Sequence, residues 1–67
     1  MIQISVNGEV KQVEPGASIG CLLNSLDLAG KRIAVERNGE IVPRSRYEET
    51  RVAEGDRLEI VVAVGGG

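Results

Sequence analysis

Along residues 1–6 apolar and polar side chains alternate, with Ile2, Ile4 and Val6 set against Gln3 and Ser5. That period of two predicts a strand with one covered face. Asn7-Gly8 follows at once, the pair favoured in type I′ hairpin turns because both central residues need positive φ. Residues 9–13 are therefore expected to return antiparallel to the first strand. Val10 and Val13 fall on opposite faces of an ideal pleat, and a bulge near Lys11 would reconcile them. Glu14-Pro15-Gly16 ends the hairpin, and Ser18 stands where a helix N-cap belongs. Ile19, Leu22, Leu23 and Leu26 then repeat at i, i+3, i+4 and i+7, the apolar stripe of a short amphipathic helix that must cover the sheet. Gly20 inside it costs about 1 kcal/mol relative to alanine, which close approach of helix to sheet would explain. Cys21 falls beside the stripe and, with no histidine in the chain, reads as a small structural residue rather than a redox centre.

Residues 27–30 read as the helix exit. Ile33 and Val35 alternate with Ala34 and Glu36 in a third strand, and Asn38-Gly39 makes a second hairpin turn into Glu40, Ile41 and Val42. Pro43 has no amide hydrogen for a sheet ladder, which confines a fourth strand to a short edge piece. Ser45-Arg46-Tyr47-Glu48 has the form of a capping box and predicts one helical turn with Tyr47 half buried. Glu54-Gly55-Asp56 makes the last turn. Residues 57–64 then place Leu58, Ile60, Val62 and Val64 on one face and Glu59, Val61 and Ala63 on the other. A strand apolar on both faces belongs in the middle of its sheet, with the first strand as its parallel neighbour. The order is β-β-α-β-(β)-β, an α+β domain: a mixed four- to five-stranded sheet covered on one face by one helix.

Composition narrows the function. At 67 residues the chain can build one small core and no deep multi-subsite pocket. A net charge of −2 and one aromatic residue, Tyr47, argue against a nucleic-acid binder, which would show a basic face with stacking aromatics. One cysteine and no histidine exclude zinc-finger spacings and a Cys-His nucleophilic pair, so no metal site and no catalytic residue is expected. The arginines of the second half alternate with acids and read as a solvated face. With neither a signal peptide nor an apolar run long enough to span a membrane, a cytoplasmic protein without membrane contact is expected.

The chain finishes Val64-Gly65-Gly66-Gly67. Three glycines have nothing to pack and lose the most backbone entropy on ordering, which suits either a plain flexible terminus or a tether of roughly 10 Å when extended. The expected division is a body of residues 1–64 and a flexible tail of residues 65–67.

With this tail directly after the final strand, the order of elements resembles the ubiquitin-like β-grasp fold. Within it the chain resembles the sulfur carrier proteins of thiamin biosynthesis. The residues concerned are Val6-Asn7-Gly8, Leu22-Leu23, the block Ala34-Val35-Glu36-Arg37-Asn38-Gly39-Glu40-Ile41-Val42-Pro43-Arg44, then Gly55-Asp56-Arg57-Leu58-Glu59-Ile60-Val61 and the glycine end. Tyr47 stands where many members carry tryptophan. Val64-Gly65 replaces the basic residue that ubiquitin has before its diglycine, which favours a sulfur carrier over a protein tag.

The resemblance implies that the Gly67 carboxylate is the covalently modified group. A ubiquitin-activating-type adenylyltransferase would use ATP to convert it to an acyl-adenylate, and a persulfide sulfur donor would turn that into a thiocarboxylate. Thiazole synthase would then receive the sulfur. The chain would be carrier and co-substrate, binding no cofactor itself. Val64, Gly65, Gly66 and Gly67 would enter partner active sites, while Val61 and Ala63 are the candidates for partner docking. Carriage of sulfur for molybdopterin or tRNA thiolation shares the same chemistry. A protein modifier would instead form isopeptide bonds, and an interaction module would leave the tail idle.

Overall fold

The computed structural model describes residues 1–28 and 30–62. Five strands and one helix follow in the order β1 (Ile2–Val6), β2 (Glu9–Val13), α1 (Ile19–Ser25), β3 (Ile33–Arg37), β4 (Glu40–Val42) and β5 (Arg57–Val62), with a short 3-10 turn at Arg44–Arg46. The strands form one mixed sheet in the order β2-β1-β5-β3-β4. β5 is central: it runs parallel to β1 through Ser5↔Arg57 and Val6↔Leu58, and antiparallel to β3 from Ile33↔Val62 to Arg37↔Leu58. β4 is the short edge piece that Pro43 requires.

Both Asn-Gly turns have the conformation expected of them, with Asn7 at φ 51 and Gly8 at φ 86, and Asn38 at φ 52 and Gly39 at φ 86. Type I′ geometry matches the right-handed twist of the flanking strands. The β1–β2 register runs one-to-one from Ile2↔Val13 to Val6↔Glu9, so the bulge expected near Lys11 is absent. Val10 instead projects from the uncovered face, 64% exposed, while Val13 packs partly against the core. A regular edge strand tolerates one exposed valine more readily than the ladder tolerates disruption.

α1 begins where expected. Ser18 is extended and its Oγ accepts a hydrogen bond from the Cys21 amide at 3.0 Å. Ile19, Leu22 and Leu23 bury against Ile4, Val35, Leu58 and Ile60 on the covered face of the sheet, and Leu26, at the C-cap, packs partly against them. Cys21 points outward and is exposed, so it plays no part in the core.

The segment after β4 departs from expectation. Pro43 is extended at the N-cap of the 3-10 turn with no side-chain cap, and the turn occupies residues 44–46, so the Ser45–Glu48 capping box does not form. The backbone that follows satisfies the start of α1 instead. The Ile19 amide donates to the Thr50 carbonyl and the Gly20 amide to the Tyr47 carbonyl, each at 2.9 Å, which occupies amides that a helix N-terminus leaves without partners. A Cβ at Gly20 would meet the end of the exposed Glu48 side chain, which can move aside, and would lie at an ordinary contact distance of 3.6 Å from the Tyr47 carbonyl, so the neighbour of Gly20 is this loop and not the sheet. Tyr47 is buried, 9% exposed, deeper than expected because its own backbone is tied to the helix.

Candidate functional site

The end of β5 is the part of the molecule from which the glycine tail continues, and side chains from three turns hold that strand. At its start, Asp56 is buried and accepts three hydrogen bonds: from Arg37 Nε at 2.8 Å, from Asn38 Nδ2 at 3.1 Å and from the Ala53 amide at 2.8 Å. Burial by itself would raise the Asp56 pKa. The Ala53 amide, the Arg37 guanidinium and the Asn38 amide outweigh it and hold the carboxyl below the ordinary aspartate value. Asn38 also accepts from the Arg57 amide through Oδ1 at 2.9 Å.

Further along, β1 has ended and the Asn7 side chain takes over as the neighbour of β5. Its Oδ1 accepts from the Ile60 amide at 2.8 Å, and its Nδ2 donates to the Ile60 carbonyl at 3.1 Å. One carboxamide thus supplies both halves of a strand-like pairing across 53 positions of sequence. The two turn asparagines were legible as turn formers; their grip on β5 was not. The available signal was the choice of asparagine at both left-handed positions, since its amide offers a donor and an acceptor together. Among the arginines read as a solvated face, Arg37 is ion-paired with Asp56, and Arg51 Nη1 donates to the Gly16 carbonyl at 2.6 Å.

The alternation of β5 sends Leu58 and Ile60 into the core, 1% and 6% exposed. Val61 projects from the opposite, uncovered face, 63% exposed, and Val62 at the end of the sheet is 40% exposed. The second apolar face of this central strand is therefore open to solvent. Ala34, the partner of Val61 on β3, and Ile41, the partner of Glu36 on β4, are also exposed. Of the docking candidates, Val61 lies on this open face, and Ala63 lies outside the described residues. So do Val64, Gly65, Gly66 and Gly67, and with them the expected division after residue 64. Among the described residues no group of three His, Cys, Asp or Glu side chains is placed to hold a metal, and no helix is long and apolar enough to cross a membrane.

A mixed five-stranded sheet with β1 and β5 parallel at its centre, and one helix across one face, is the ubiquitin-like β-grasp architecture. The ThiS family model matches residues 4–67, and the chain belongs to the ThiS family. It is 42% identical over 65 residues to the sulfur carrier protein ThiS of Bacillus subtilis, an alignment covering 96% of this chain and 98% of that protein. The crystal structure of the thiamine biosynthesis protein ThiS from Geobacter metallireducens superimposes with a TM-score of 0.83 at 32% identity, covering 98% of this chain and all of that one. A thiazole synthase of Paramagnetospirillum magneticum is 41% identical over 66 residues, or 98% of this chain. The chain spans only 20% of that relative's length.

Proposed function

We propose that this chain is the sulfur carrier of thiamin biosynthesis, and that it carries sulfur as a thiocarboxylate on Gly67. The observation behind this reading is the likeness to the ThiS family, which extends through the terminal glycines and includes a named sulfur carrier along nearly its whole length.

A carboxylate is a poor acyl donor because its leaving group would be oxide. Adenylation by a ubiquitin-activating-type enzyme, with ATP as its substrate, replaces oxide with AMP. The outer sulfur of a persulfide donor then displaces AMP to give an acyl disulfide, and a thiol cleaves its S–S bond, becoming a disulfide with the donor sulfur and leaving the thiocarboxylate. The thiocarboxylate sulfur is a nucleophile toward a carbonyl or imine held by thiazole synthase, and later hydrolysis of the C-terminal group restores the carboxylate. The likeness of a thiazole synthase segment to this chain supports that enzyme as the acceptor. Gly66 and Gly67 suit the chemistry because, without Cβ atoms, they pass a channel too narrow for a side chain. On this reading the chain is a co-substrate and not an enzyme, binds no cofactor of its own, and works in the cytoplasm beside its partners. Val61 and Ala63 contribute to docking, and Val64 to Gly67 enter the partner active sites.

Gly66→Ala tests the role of the tail. It should lower thiocarboxylate formation by at least tenfold while the thermal midpoint stays unchanged. Full activity in the variant would refute a threaded tail.

A further inference from the structure

β5 outruns its β1 neighbour. On that side the Ser5 amide donates to the Asp56 carbonyl at 3.0 Å and the Asn7 amide to the Leu58 carbonyl at 2.9 Å, so every second residue there faces β1. β1 stops at Val6, and the next residue in that rhythm, Ile60, is met at both of its backbone groups by the Asn7 carboxamide. At Val62, one step further, no hydrogen bond crosses from the β1 side among the described residues, and the strand keeps its register with β3 through Ile33↔Val62. Where β1 would have continued there is a groove of about 320 Å³ whose lining includes Val6, Leu26, Leu28, Ile60 and Val62. An apolar groove beside an apolar strand end offers that end a competing position, because turning Val62 inward would remove apolar surface from water.

We propose that Asn7 is a positioning residue for the reaction at Gly67. By holding both backbone groups of Ile60 it keeps the end of β5 in the sheet and out of the groove, and so fixes the direction in which the chain leaves the body. The proposal rests on the carrier reading, and two arguments carry it. The first is that the turn itself does not need this bond, since glycine or aspartate also adopts the left-handed conformation; the carboxamide reaches 53 positions along the sequence to the point where the ladder runs out. The second is reach. Five residues separate Val62 from Gly67, at most about 18 Å of extended chain, and so short a tail cannot compensate for a strand end that has turned aside. Only the fraction of bound carrier with β5 aligned presents Gly67 to the activating enzyme, and the rate follows that fraction.

The test is single-turnover adenylation of the intact carrier by excess ThiS-activating enzyme with ATP, read as pyrophosphate release. Asn7→Gly removes the carboxamide and keeps the left-handed turn. Asn38→Gly is the matched control, because Asn38 has the same turn conformation but holds the opposite end of β5, through the Arg57 amide and Asp56. We expect Asn7→Gly to lower the rate constant at saturating enzyme by about fivefold, with the half-saturating enzyme concentration changed by less than about twofold. Asn38→Gly should keep the wild-type rate constant. A purely structural role acts differently, since loss of folded carrier raises the half-saturating concentration and leaves the saturated rate constant unchanged. Asn7→Asp keeps an acceptor for the Ile60 amide but sets a carboxylate against the Ile60 carbonyl; it should also lower the saturated rate constant, and it decides the matter if glycine at position 7 prevents folding. A wild-type rate constant in the folded Asn7 variants would overturn the inference, as would an equal fall in Asn38→Gly. A wild-type chain that is never adenylated would overturn the carrier reading as well, whereas normal wild-type turnover with unaffected Asn7 variants removes only the positioning role.

Discussion

Asp56 shows how much one side chain can organise in so small a protein. Its carboxylate gathers Arg37, Asn38 and the Ala53 amide at the entrance to β5, and all three donors lose their acceptor if it is removed. Asp56→Ala should destabilise the fold by about 3 kcal/mol at neutral pH, measured by urea denaturation. Because the folded-state pKa is lowered, the ionised form's contribution is complete above about pH 4, the ordinary value for an unfolded aspartate, and is lost as pH falls through the lower folded value. The gap between wild type and variant should narrow over that acidic range; a constant gap would show that the charge on Asp56 contributes nothing. In the sequence, Gly55-Asp56 could be read only as a turn, because its partners Arg37 and Asn38 lie 19 and 18 positions away. Gly20 was conspicuous for the opposite reason: a helical glycine suggests a close neighbour, and sequence alone could not say that the neighbour is the Tyr47–Glu48 loop and not the sheet.

At the level of elements, the periodicities determine most of what is found. Alternation locates β1, β3 and β5, the i, i+3, i+4 stripe locates α1, and the two Asn-Gly pairs fix the hairpins. Periodicity fails between Pro43 and Asp56, where the backbone is recruited to finish the N-terminus of α1. A local capping box had no claim on Ser45 once Pro43 and Arg44 had set the 3-10 turn. β5 itself depends on a side chain from another element, since Asn7 pairs with both backbone groups of Ile60. Asn7→Gly keeps the left-handed turn accessible and deletes only that pairing. It should cost about 1–2 kcal/mol and abolish slow hydrogen exchange at the Ile60 amide relative to the Leu58 amide. Asn7→Ala should cost about 1 kcal/mol more, because alanine must then adopt the left-handed turn conformation. Equal stability and exchange in wild type and Asn7→Gly would show that the carboxamide does not hold the strand.

For the molecule as a whole, the parts serve the placement of one strand end. α1 covers one face of the sheet and leaves the other to solvent, and β5 runs through the middle, anchored at Asp56 and again at Ile60. The open face carries Val61, Ala34 and Ile41. The fold class and the glycine tail were legible in the sequence because strand order and a run of glycines are local patterns. The hold of Asn7 on Ile60 was not, because it arises only when the fold places two residues 53 positions apart side by side. The central claim concerns chemistry at Gly67, and the intact mass of the chain after incubation with a ThiS-activating enzyme, ATP, a persulfide donor and a thiol reductant tests it most directly. The account predicts a gain equal to the replacement of one oxygen by sulfur, localised to the C-terminal peptide; an unchanged mass, under conditions that convert the Bacillus subtilis ThiS protein, would contradict it.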